Sequence, residues 1–123
     1  MMWTASAQMN YNGTEADADQ VWAGYEEFME APGGPNLTPA EVDSLFDLAA
    51  ILVDFLGAGD QKLDAAFAHL EEANHAMEFQ DWTTAVQAAQ NAIADTNAAK
   101  PEIGSAATML GYCWFFYNFY MSS

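Results

Sequence analysis

Residues 38–56, TPAEVDSLFDLAAILVDFL, decide the fold class. Thr38 is followed by Pro39 and, three residues on, by Glu41. That spacing forms a capping box with proline at the first helical position. Beyond it Val42, Leu45, Phe46, Leu48, Ile51, Leu52, Val53, Phe55 and Leu56 surround the axis, and the one strong polar stripe is Asp43, Asp47 and Asp54. The pattern predicts a helix over 39–56. A helix apolar on nearly every side needs neighbours on several sides, so this one is expected at the centre of a bundle.

The flanking sequence repeats the helical period. Val21, Trp22, Tyr25, Phe28 and Met29 share one face of a helix predicted over 15–31, opposite Asp19, Glu26 and Glu30. Residues 1–14 read as an irregular segment because Asn12-Gly13 is a turn signal. Pro32-Gly33-Gly34-Pro35 reads as a break and linker turn. Gly57-Ala58-Gly59-Asp60 is expected to end the 39–56 helix and open another over 60–79, with Leu63, Phe67, Leu70 and Met77 inward. Asp81 is a candidate N-cap for a helix over 82–96, and Pro101 opens a fifth. No segment alternates like a strand. The expected architecture is all-α: a compact up-and-down bundle of four to five helices over 15–123, with a strongly acidic surface. Leu45, Phe46, Leu52, Phe67, Leu70, Trp82, Val86, Ile93, Leu110 and Trp114 are its expected core.

Charge sets the functional limits. The 123 residues include no arginine, two lysines (Lys62 and Lys100) and 18 carboxylates, for a formal net charge of -16. Phosphate contacts require lysine or arginine, so direct nucleic-acid binding is not expected. An anionic membrane surface repels the chain for the same reason. Hydrophobic content of 52% is too high for disorder. Residues 103–121 are uncharged, but tyrosine, asparagine, serine and glycine weaken their hydropathy, so a buried helix is expected there rather than a span. Cys113, the single cysteine, permits no internal disulfide. The expected location is the cytoplasm, that of a host cell for a viral protein.

Candidate chemistry is sparse. Glu72-x-x-His75 is half of a di-iron pair, and no second Glu-x-x-His exists. Glu15, Asp17, Asp19 and Glu26 match the acidic positions of an EF-hand loop, but Gln20 stands where the sharp turn requires glycine. No nucleophile has a triad context, and no phosphate-binding loop follows a strand. No enzymatic activity, catalytic residue, cofactor or metal ligand is therefore expected.

Two features point to protein binding. The first is the one-signed rows Asp19, Glu26, Glu30; Asp43, Asp47, Asp54; and Asp64, Glu71, Glu78. Steps of four and seven residues advance about 6 and 10 Å along a helix, close to phosphate spacing on a DNA strand. Any amphipathic acidic helix has this period, but an ordinary one interleaves lysine and arginine. The second is an aromatic set, Tyr112, Trp114, Phe116, Tyr117, Phe119 and Tyr120, which serves as core or as an interface patch.

Two short stretches carry resemblances. Trp82, Ala85, Ala89 and Ala92, after Phe79-Gln80-Asp81, resemble the second helix of a tetratricopeptide repeat. Leu110-Gly111 with Trp114 looks like the start of the next repeat. The pattern departs at Glu72 and Ala76, and the separation of Ala73 and Gly111 exceeds the family's 34-residue period. Asp43-Ser44-Leu45 is similar to the acid-Ser-aliphatic segment of protein inhibitors of uracil-DNA glycosylase.

The expected function is a non-enzymatic inhibitor that mimics nucleic acid. Its acidic rows would occupy the basic cleft of a nucleic-acid-processing protein, such as a CRISPR effector, restriction enzyme or uracil-DNA glycosylase. The alternative is a structural or adaptor subunit, a virion or filament component or a tetratricopeptide-like scaffold. It would assemble through the aromatic helix, including as a homo-oligomer, and possible origin in a high-salt organism accounts for part of the acidity. Sixteen unbalanced charges repel one another, and salt screens them. The melting temperature is therefore expected to rise between low and physiological sodium chloride; a midpoint indifferent to salt would contradict this.

Overall fold

The computed structural model describes residues 2–32 and 36–122. They form three helices: α1 (Met2–Glu30), α2 (Pro39–Glu78) and α3 (Trp82–Ser122). Their 29, 40 and 41 residues correspond to rods about 43, 60 and 61 Å long at 1.5 Å per residue. Among the described residues there is no strand. Phe28, Leu45 and Cys113 pack together at one end, and the Thr4 hydroxyl donates to Met77 Sδ (3.2 Å) towards the other. The helices therefore run up, down and up, with α1 parallel to α3.

Apart from Ala76 and Ala88, buried positions on every helix alternate steps of three and four. They are Thr4, Ala7, Tyr11, Thr14, Ala18, Val21 and Phe28 on α1, with half-buried Tyr25 completing the series. On α2 they are Leu45, Ala49, Leu52, Leu56, Gly59, Leu63, Ala66, Leu70 and Ala73. On α3 they are Ala85, Ala89, Ala92, Thr96, Ala99, Ile103, Ala106 and Cys113, with half-buried Leu110. This is the 3.5-residue period of coiled coils, in which each helix keeps one seam towards its partners. The α3 seam is built largely of alanine, and the α2 seam alternates leucine with alanine and glycine. The buried hydroxyls of Thr14 and Thr96 donate to the carbonyls of Asn10 and Ala92, each at 2.8 Å, so small polar residues fit without an unmet bond.

Small side chains let α2 and α3 approach closely. A Cβ on Gly59 would lie 2.9 Å from Ile103 Cγ1 and 3.5 Å from Glu102 Cβ. Gly57 faces open space. Gly57-Ala58-Gly59-Asp60 therefore does not end a helix. It lies inside α2, where Gly59 is the point of contact with α3.

Further expectations are corrected. Residues 2–14, expected to be irregular, belong to α1. Burial of Ala7, Tyr11 and Thr14 against the other helices outweighs the helix penalty at Gly13, about 1 kcal/mol against alanine. Pro101 lies inside α3 rather than opening a fifth helix. It is solvent-facing, and buried Ala99 and Ile103 hold the chain on α2 through the one backbone bond that proline removes. The expected four to five helices are thus three. The tetratricopeptide pattern also fails, because Leu110-Gly111 and Trp114 lie along one uninterrupted helix. The linker turn expected at Gly33-Gly34 lies outside the described residues.

The expected core is half right. Leu45, Leu52 and Leu70 are buried, Val86, Ile93, Leu110 and Trp114 are half-buried, and Phe46, Phe67 and Trp82 are exposed. Nor is the 39–56 helix enclosed on all sides, since Ile51 is 45% exposed. On α3 the contact line is mostly alanine, and Val86, Ile93 and Trp114 stand beside it, half-buried.

The N-termini of α2 and α3 are capped as expected. Glu41 N donates to Thr38 Oγ1 (3.2 Å), and Thr38 N donates to Glu41 Oε1 (2.9 Å). At the other end of α2, Asp81 N donates to the Ala76 carbonyl and Gln80 N to that of Met77. This is a Schellman turn, with Gln80 at φ 59 where glycine is usual. Asp81 then caps α3 through Thr84 N (3.2 Å) and the Thr84 hydroxyl (2.6 Å), and these bonds hold its carboxyl below the usual range.

The two glycines of α2 should respond oppositely to one methyl group. Gly57→Ala is expected to stabilise by roughly 0.5–1 kcal/mol through helix propensity. Gly59→Ala is expected to destabilise, because Ile103 must move. Urea melts of both variants decide this, and equal stabilisation would show that α2 and α3 are not in close contact at Gly59.

Candidate functional site

Two surfaces carry the chemistry, and the seam register places both. In an antiparallel pair, the residues just outside the contact line of one helix meet their counterparts on the other. On the α1/α2 side, Trp22 Nε1 donates to Asp60 Oδ2 (2.8 Å) and the rings of Tyr11 and Phe67 approach to 6.0 Å. The residues one step further round flank that line: Asp19 and Glu26 on α1, and Asp43, Asp64, Glu71 and Glu78 on α2.

Tyr11 reports the field on this side. Its hydroxyl donates to Glu15 Oε2. Burial first, then the Glu15 hydrogen bond and the charges of Glu15, Asp64 and Asp19, keep it protonated far above the usual tyrosine range. Carboxylates from two helices thus act on one group. All nine acids of the expected rows are exposed, including Glu30, Asp47 and Asp54 on the outermost strips of their helices. Glu15 and Asp60 also belong to this side. They are absent from the expected rows because they fall out of step with them, and only the pairing of α1 with α2 brings them in.

Both lysines lie elsewhere. Lys62 Nζ is 3.1 Å from Glu102 Oε1 on the α2/α3 side. Lys100 lines a groove between α1 and α3 with Thr14, Asp17, Gln20 and Ile103.

The second surface is the α2/α3 seam on the side away from α1. Here the expected aromatic set divides. Trp114 and Tyr117 turn inward, with ring centroids 5.2 and 6.5 Å from the fully buried Phe28. Tyr112 and Phe119 are exposed, while Phe116 and Tyr120 are half-buried and share a groove with Ser44, Asp47, Leu48 and Ile51. Phe115, absent from the expected set, is the most exposed of these rings at 62% and lines an adjoining depression with Tyr112 and Phe116. Its exposure follows from its place opposite the alanine seam, which a run of consecutive aromatics does not reveal.

The metal candidates do not assemble. Glu15, Asp17, Asp19 and Glu26 sit on continuous helix, so no twelve-residue calcium loop forms there. Glu72 lies 3.6 Å from His69 Nδ1, and the His75 ring rests against Phe79 at 4.9 Å. Among the described residues no group of three or more His, Cys, Asp or Glu side chains is arranged to hold an ion. Cys113 is fully buried, and desolvation raises its thiol pKa. Among the described residues no helix is long and apolar enough to cross a membrane. Asp43 and Ser44 are exposed on the first turns of α2, whereas Leu45 of the same stretch is buried.

Comparison with protein-family models, with curated proteins and with solved structures finds no match to this chain.

The division of the aromatics makes a direct prediction. Trp114→Ala should cost about 2 kcal/mol or more, through lost packing on Phe28. Phe115→Ala should cost under ~0.5 kcal/mol. Denaturant melts of the two variants test this, and comparable losses would contradict it.

Proposed function

We propose that the protein is a non-enzymatic binding protein whose acidic α1/α2 side occupies a basic nucleic-acid-binding cleft and excludes the nucleic acid. One observation carries this reading: Asp19, Glu26, Asp43, Asp64, Glu71 and Glu78 are all exposed on two helices that pack side by side, and both lysines lie on other sides. Steps of seven residues separate Asp19 from Glu26, Asp64 from Glu71, and Glu71 from Glu78. Each step spans about 10 Å of helix. On α2 the row Asp64, Glu71 and Glu78 occupies the C-terminal half, and Asp43 stands apart near the N-terminus. A cleft evolved for phosphates meets carboxylates there, held in place by a helical frame.

Such binding gains its rate from long-range attraction and loses it as salt rises. Chromatography of a cell lysate on the immobilised chain, followed by elution with duplex DNA, is the first experiment. A nucleic-acid-processing protein released by DNA is the expected result. The Asp19→Lys/Asp64→Lys/Glu71→Lys variant should slow association with that protein by about tenfold or more while its helical spectrum is kept. The reading fails if DNA does not compete, or if the triple reversal leaves association unchanged. The adaptor alternative draws on a different observation, the exposed rings of Tyr112, Phe115 and Phe119.

A further inference from the structure

The α2/α3 seam has an open side with a consistent construction. Residues just outside the contact line meet in pairs across it: Lys62 with Glu102 at 3.1 Å, His69 Nε2 with Asp95 at 3.4 Å, and Leu48 with Phe116 in one groove. α1 covers the opposite side of the same helix pair. Towards the loop between α1 and α2, the open side is apolar. Ile51 is 45%, Tyr112 51% and Phe119 58% exposed. Towards the α2/α3 turn it becomes ionic, with Glu102, Asp95 and Glu72 set against Lys62 and His69. Asp47 lines the apolar groove itself.

We infer that this seam is a docking groove for an amphipathic helix of another protein, one with an apolar stripe flanked by lysine and arginine. Two features select a helix. The floor lies between two antiparallel rods, and its apolar groups recur at helical intervals, as with Leu48, Ile51 and Phe55 on α2. The backbone groups of both rods are committed to their own helices, so no strand can pair with them and an occupant must dock through side chains. A fourth helix laid there would use the same side-by-side packing that holds α1 on the other side. Charge selects the flanks. A second copy of this chain would bring another net charge of -16 to a seam that holds Asp47 in its apolar groove and, beyond it, Glu72, Asp95 and Glu102 against Lys62 and His69. A basic helix meets those carboxylates with opposite charge. The seam is distinct from the α1/α2 acidic side and does not depend on the function proposed for it.

The test uses the full chain and three fluorescein-labelled synthetic peptides of about 21 residues, long enough for a stable helix on a partner. One places leucine on a helical stripe among lysines, the second is a scramble of the same composition, and the third replaces lysine with glutamate. Fluorescence anisotropy at physiological salt should show the Leu/Lys helix binding about tenfold or more tighter than the scramble, with no measurable binding of the Leu/Glu helix. Ile51→Ser/Tyr112→Ser should weaken the Leu/Lys helix by about tenfold, as expected for loss of apolar anchors. Asp19→Lys/Glu26→Lys, on the other side, should change it by less than about threefold. Both variants replace exposed residues, and thermal melts should confirm that they remain folded. Equal affinity for helix and scramble would overturn the proposal, because net charge alone would then explain binding. So would full affinity in the Ile51/Tyr112 variant. Sedimentation equilibrium showing a dimer that the same variant dissociates would also overturn it, by assigning the seam to a second copy.

Discussion

The close approach of α2 and α3 governs the molecule. Gly59 admits no Cβ without displacing Ile103, and Ala66, Ala73, Ala85, Ala92, Ala99 and Ala106 continue the small contact line along both helices. Packing at this range sets backbone-near contacts of α3 alanines against the buried leucines Leu45, Leu52, Leu56, Leu63 and Leu70 of α2. Its consequence is lateral. Large residues that fit no alanine seam are placed beside it, where Phe67 meets Tyr11 and Leu48 meets Phe116 in a groove.

The same seam register distributes charge. Lys62 lies on the α2/α3 side and Lys100 beside the groove between α1 and α3, while the nine acids of the rows take exposed strips of α1 and α2. The bundle must hold this arrangement against its own repulsion. Long helices help, because their acids are spread at intervals near the screening length of physiological salt, about 8 Å. Water solvates them outside, and the uncharged seam lies within. Tyr11 is the exception, a buried hydroxyl that donates to Glu15 under the combined field of Asp19 and Asp64. It ties the acidic side to the core.

The two surfaces differ in what they ask of a partner. The α1/α2 side offers spaced charge flanking the exposed ring of Phe67, the surface that the proposed function assigns to a basic cleft. The α2/α3 side offers exposed rings and aliphatic groups with charge at the margin, suited to a side chain stripe. An acidic protein with both can combine salt-sensitive attraction with contacts that salt does not screen.

The sequence by itself determined the helical class, the capping box at Thr38, the cap at Asp81 and the solvent exposure of the nine acids. These depend on local hydrogen bonding and on periodicity, which a single strand of sequence contains. Helix number was decided only by the tertiary structure. Gly13, the Gly57–Gly59 stretch and Pro101 are local breakers, and each is overridden by burial along a seam whose other side is distant in sequence. The core was decided there too. Alanine and glycine have no strong hydrophobic signal until two helices pack closely enough to use their smallness. For the same reason the sequence did not separate Trp114 and Tyr117, which turn towards Phe28, from Tyr112, Phe115 and Phe119, which turn outward: neighbouring aromatics on one helix are sorted by where its partners lie.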